Sequence, residues 1–152
     1  MRPKPVSTTH AGNTRKSVPS SRGRRSTALA EHLGPAYGSM IVFAAATGLR
    51  PGEWIALEER DLDREARVVY VRRAFAHRRL KNPKTRRSMR AVPLQSIALD
   101  ALDRLPARQG TPLVFPAPRG GYLHLHNFSR RAWKAAQLAA GVEPLRRPYD
   151  LR

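Results

Sequence analysis

Between Thr47 and Glu53 the chain reads Thr-Gly-Leu-Arg-Pro-Gly-Glu, and this short run constrains the fold more than any other. Upstream of it, Leu29, Leu33, Tyr37, Met40 and Ala44 recur at helical spacing, broken only by Gly34-Pro35, which predicts two helices or one broken helix. Gly48 ends that apolar run. Pro51 then stands where a new helix can start, because its missing N–H would be unpaired there anyway. A short helix over Pro51–Glu58 follows, with Trp54 and Leu57 on its inner side.

Arg50 thus falls at a helix start, where the backbone dipole disfavours a cation, so helix stability gives no reason for an arginine. A bound anion would supply one, since free N–H groups and a guanidinium fork can converge on one phosphate. Glu53, one turn in, can hold that guanidinium or reach back to an unpaired N–H as a capping carboxylate.

Charge points the same way. With 29 Lys and Arg against 11 Asp and Glu, the formal net charge is +18, which implies a polyanionic partner, nucleic acid first. No apolar run approaches the roughly 18 residues of a membrane span. The basic N-terminus lacks the apolar stretch of a secretory signal, and the absence of Cys excludes disulfides and thiolate metal sites. The reading is an intracellular soluble protein with no membrane partner and no small-molecule substrate.

Residues 1–25 are basic, free of acidic residues and poor in large apolar side chains, a composition expected to stay disordered. Residues 26–152 are expected to fold as one domain. After an acidic turn at Glu58–Asp63, Arg67–Arg73 reads as a strand and Ser88–Leu94 as a second, joined by the basic stretch Arg78–Arg87. Ser96 is a candidate cap for a helix running to Leu105. Leu113–Phe115 is a short extended piece. Asn127 is a candidate cap for a helix over Phe128–Ala140, with Gly141 just past its end. The order of helices, sheet and helices predicts an α+β domain, mostly helical, with a small antiparallel β-sheet.

Three segments together resemble the tyrosine recombinase and phage integrase family. The first is Thr47–Glu53 with Leu57 and Asp61-Leu62-Asp63 after it. The second, Lys84-Thr85-Arg86-Arg87-Ser88-Met89-Arg90-Ala91-Val92-Pro93-Leu94, is similar to the family's Lys-Thr-x-x-Ser-x-Arg-x-Val-Pro-Leu. The third, Tyr149-Asp150-Leu151-Arg152, resembles its His-x-Leu-Arg. The resemblance implies that Arg50 and Arg152 bind the scissile phosphate, that Glu53 supports Arg50, and that Lys84 is the general acid for the leaving 5′ oxygen, with Lys81 the competing assignment. Lys81, Arg86, Arg87 and Arg90 are then DNA-binding candidates, although a solvated basic loop is the plainer reading of any one cation there other than Lys84. Tyr149 stands where the family usually has histidine. A phenol can donate to a phosphate oxygen, but with a pKa of about 10 it cannot shuttle protons near neutrality.

The implied reaction is attack of a tyrosine hydroxyl on a DNA phosphodiester, giving a 3′-phosphotyrosyl link and a free 5′ hydroxyl, without metal or nucleotide cofactor. In the family the attacking tyrosine lies downstream of the second arginine, so no nucleophile is assigned among these residues. The expectation is an integrase-type catalytic domain incomplete at its C-terminus, which binds double-stranded DNA without cleaving it alone. The alternative is a non-catalytic DNA-binding module that partners or regulates a full-length recombinase protomer.

Overall fold

The computed structural model describes residues 21–82, 85 and 89–151, with residues 21–26 described in backbone only. Helix α1, Ser21–Thr47, starts five positions before the expected domain boundary and is two helices merged across Gly34. There φ is +77° and ψ 174°, a conformation that suits a residue without Cβ. Beyond the kink, Met40, Phe43 and Ala44 are buried to 1% or less and form the centre of the core with Leu49, Trp54, Val69 and Val114. Phe43 meets Phe115 at 5.2 Å between ring centroids.

Helix α2 is shorter than expected, Pro51–Ile55, and is followed by a 3-10 turn, Glu59–Asp61. The acidic turn is a structural hub. Asp61, 1% exposed, accepts a hydrogen bond from the Glu58 N–H and holds the buried Arg73 guanidinium at 3.0–3.2 Å. The burial of Arg73 was not expected from its place at the end of a basic-looking strand. Its two carboxylate neighbours, Asp61 and Glu58, supply the pairing a buried cation requires.

The sheet runs β1–β2–β5, antiparallel throughout: β1 is Leu62–Asp63, β2 Val68–Val71 and β5 Arg90–Pro93. Val69 pairs with Val92 and Val71 with Arg90, so the two strands expected from sequence do face each other. The basic connection between them differs from the expected plain arm. It begins as a second antiparallel hairpin, β3 Ala74–Ala76 and β4 Arg79–Lys81, turning at His77 and Arg78. The glycine at 52 fixes where this hairpin sits: a Cβ there would lie 2.8 Å from the Phe75 carbonyl oxygen, so only glycine lets β3 cross α2 this closely.

Helix α3, Ser96–Asp103, buries Ala98, Ala101 and Leu102 against α1. Its cap is Gln95, not Ser96, because the extended Gln95 carbonyl takes the first N–H groups. The Ser96 hydroxyl instead accepts from Arg67, tying helix to sheet. The last helical stretch also starts earlier than expected, at α4 Leu125–Phe128 with His124 rather than Asn127 at its cap. It continues through a π-helical turn, Ser129–Trp133, into α5, Lys134–Ala139. Leu125 and Phe128 draw the first turn inward, with Phe128 edge-on to Tyr37 at 5.0 Å.

Gln137, 1% exposed, fixes the segment that follows: its amide donates to the Arg146 carbonyl at 3.1 Å and accepts from the Arg146 N–H at 2.7 Å. The Trp133 indole donates to the same carbonyl at 2.6 Å. This clamp delivers the final 3-10 turn, Pro148–Leu151, against α1. Among the described residues no helix is long and apolar enough to cross a membrane.

Candidate nucleic-acid interface

Arg50 is exposed and extended, φ −69° and ψ 150°, immediately before α2. With α2 only five residues long, the backbone dipole is small, and attraction for an anion at this point rests on side-chain cations. The two alternatives left for Glu53 resolve in favour of the backbone. Its Oε2 accepts from the Arg50 N–H at 2.7 Å, and the carboxylate is gripped by Arg90, not by the Arg50 guanidinium.

The Arg90 contact is bidentate, Nη1 to Oε1 at 2.7 Å and Nη2 to Oε2 at 2.8 Å, the fork geometry that makes such pairs strong. Glu53 is 7% exposed, and that burial pushes its carboxyl up. The Arg90 hydrogen bonds and the Arg50 N–H outweigh the burial, and the carboxyl ends below its ordinary value of 4.5. The ionised Glu53 in turn raises Arg90.

Arg50, Glu53, Lys81 and Arg90 line one shallow hollow together with Arg73 and Asn82. Among the described residues no side chain accepts a hydrogen bond from the Arg50 guanidinium, whereas Arg73 is held by Asp61 and Arg90 by Glu53. Arg50 and Lys81 are therefore the outward cations of the hollow, and Arg90 is their scaffold with its side chain 44% exposed. Tyr149 is 52% exposed and lines a separate hollow with Gly52, Phe75 and His124. Lys84, Arg86, Arg87 and Arg152 lie outside the described residues.

The other tyrosines have structural settings. Tyr37 packs on Phe128, and burial pushes its phenol up. Tyr122 stacks on Phe75 at 4.4 Å, and Tyr70 lies under the Arg72 guanidinium at 5.3 Å. Sequence reasoning missed Gln137 and Trp133, which position the final turn without lining the Arg50 hollow, and Arg73, which lines that hollow while held by Asp61. A polar residue on the inner face of the last helix was the one available sign of Gln137.

The phage integrase family model matches residues 27–152. The Tn1549 transposon integrase, solved in complex with circular intermediate DNA, is similar in structure, with TM-score 0.67 and 20% identity over 91% of this chain and 53% of that one. The same integrase in complex with transposon right end DNA gives 0.68 and 20%, covering 91% and 52%. The XerA recombinase gives 0.66 and 20%, covering 99% and 50%. At this identity the likeness shows a shared fold, and the chain spans about half the length of each of these structures. No curated protein sequence matches.

Proposed function

The chain belongs to the phage integrase family, and from that premise we propose that residues 26–152 form the phosphate-gripping part of a tyrosine recombinase that binds double-stranded DNA. The observation that carries this reading is the Arg50 guanidinium, unpaired among the described residues, which shares a hollow with Lys81 and with a buried carboxylate already held by Arg90. A carboxylate left free there would repel a phosphate; one closed by its own guanidinium does not.

In this reading Arg50 and Arg152 take the non-bridging oxygens of the phosphate, Tyr149 donates a hydrogen bond to it, and Lys84 supplies the proton to the leaving 5′ oxygen. The cations offset the charge that grows on the phosphorane. Arg86 and Arg87 follow the flanking backbone. Residues 1–152 by themselves bind without cleaving. Tyr37, Tyr70 and Tyr122 all precede the second arginine and have the packing partners described above, and Tyr149 occupies a ligand position.

Fluorescence anisotropy with a labelled duplex tests the binding. If about five phosphates are neutralised, log K falls against log salt with a slope near −4.5, and Arg50→Ala flattens it by about 0.9. A salt-independent affinity would overturn the reading. A nicked suicide duplex is expected to give no covalent adduct with residues 1–152; an adduct would show that the nucleophile is among them.

A further inference from the structure

The segment that leads from the last helix to the final turn is exposed at every position from 143 to 147. Among the described residues, its backbone bonds to the preceding helix at one residue, Arg146. Gln137 accepts the Arg146 N–H and donates to the Arg146 carbonyl, and the Trp133 indole donates to that carbonyl too, so both of its lone pairs are taken. The second N–H of the Gln137 amide reaches the Trp133 carbonyl at 3.4 Å, which leaves no polar atom of this buried side chain without a partner.

An apolar side chain would fill the same space on the inner face of the helix without desolvating an amide. What the amide supplies is direction. Pro148 is buried and Leu151 packs against the core, but apolar contact is non-directional and does not fix the register of the turn along the chain. Two opposed hydrogen bonds to one residue do. The helix is shaped for this contact. Trp133 and Gln137 are about one turn apart, and the π-helical turn Ser129–Trp133 brings Phe128 and Trp133, both buried, onto one inner face with their rings 6.3 Å apart. Phe128 is in turn edge-on to Tyr37, so the pair that holds Arg146 is itself fixed against α1.

We propose that Gln137 is a positioning residue for phosphate binding, holding Arg146 so that the turn Pro148–Leu151 presents Tyr149 and the next residue, Arg152, to the DNA backbone. The inference rests on the reading that Arg152 takes a phosphate oxygen. At 1% exposure Gln137 does not reach DNA itself; it lines neither the Arg50 hollow nor that of Tyr149 and acts through the turn.

The test is a double-mutant cycle read as the slope of log K against log salt for duplex binding, with each protein kept well below its melting temperature. Arg152→Ala and Gln137→Met are each expected to flatten the slope by about 0.9, and the two together by no more than about 0.9, because both remove the same phosphate contact. Gln137→Met with Arg50→Ala is expected to flatten it by about 1.8, since those contacts are separate. A slope unchanged by Gln137→Met, or one flattened by about 1.8 when it is combined with Arg152→Ala, would overturn the proposal. Slopes unchanged by both Arg152→Ala and Arg50→Ala would instead overturn the reading beneath it. Trp133→Phe repeats the cycle with a milder change, since it keeps a ring in the core and removes one of the two donors to the Arg146 carbonyl. Its effect on the slope is expected to be smaller and to disappear once Arg152 is replaced. No effect at all, or one that persists in the Arg152→Ala background, counts against a positioning role.

Discussion

Glu53 accepts from the Arg50 N–H and from both arms of the Arg90 guanidinium, which takes three of the roughly four lone-pair sites of a carboxylate and pairs its charge with Arg90 rather than with the exposed Arg50 guanidinium. The sequence made the Glu53 contact to the Arg50 N–H legible, because the two are three positions apart at a helix start. Its pairing with Arg90 was not legible: 37 positions separate them, and only the β2–β5 register brings them together. The folded pKa of Glu53 lies below its ordinary 4.5, so the stability it contributes is present above that value and is lost as pH falls through the lower, folded one. Glu53→Gln is expected to be less stable than wild type by roughly 1–3 kcal/mol near neutral pH, since a buried acceptor for a charged donor is weakened. On acidification below about 4.5 the variant should lose less than the wild type. Urea denaturation at neutral and acid pH measures both; equal acid losses would remove Glu53 as a source of acid sensitivity.

The elements that sequence made legible are those whose side chains carry a period. Helices α1 and α3 and strands β2 and β5 emerged from apolar spacing and β-branched runs, and the structure places them close to where the spacing puts them. The β3–β4 hairpin was hidden because Ala-Phe-Ala-His-Arg-Arg-Leu-Lys has no glycine, asparagine or proline to mark a turn. The π-helical turn at Ser129–Trp133 was hidden as well, since one extra residue per turn leaves no local composition signal. What holds the hairpin over the site is its close crossing with α2, and Gly52 is the place to test it. Gly52→Ala would put a methyl 2.8 Å from the Phe75 carbonyl, backbone that cannot rotate away. The hairpin must lift, at an expected cost of about 1–3 kcal/mol, as for other overpacked sites. Hydrogen exchange should accelerate at the β3–β4 amides and leave those of β2 and β5 unchanged. Unaltered exchange in the hairpin would mean that the crossing does not position it.

At the scale of the whole molecule, the net charge of +18 acts on folding and on binding with opposite sign, and only its total was legible in the sequence. Which cations are neutralised internally required the fold: Arg73 and Arg90 are engaged by Asp61 and Glu53, while Arg50 and Lys81 face outward. Self-repulsion among so many like charges destabilises the compact state of the free chain, and salt screens it, with a Debye length falling from about 10 Å at 0.1 M to about 3 Å at 1 M. The melting temperature of the free chain is therefore expected to rise with salt over this range. Duplex bound as proposed would stabilise the folded state by mass action, by about 2.7 kcal/mol at a hundred times its Kd. That increment should vanish over the same range, because affinity falls steeply with salt. Melting curves with and without duplex should thus start well apart at low salt, with the complex higher, and converge as the free chain rises and the complex loses its advantage. If the two remained separated by a constant interval, the binding would owe little to phosphate charge, and the outward cations around Arg50 would not be its source.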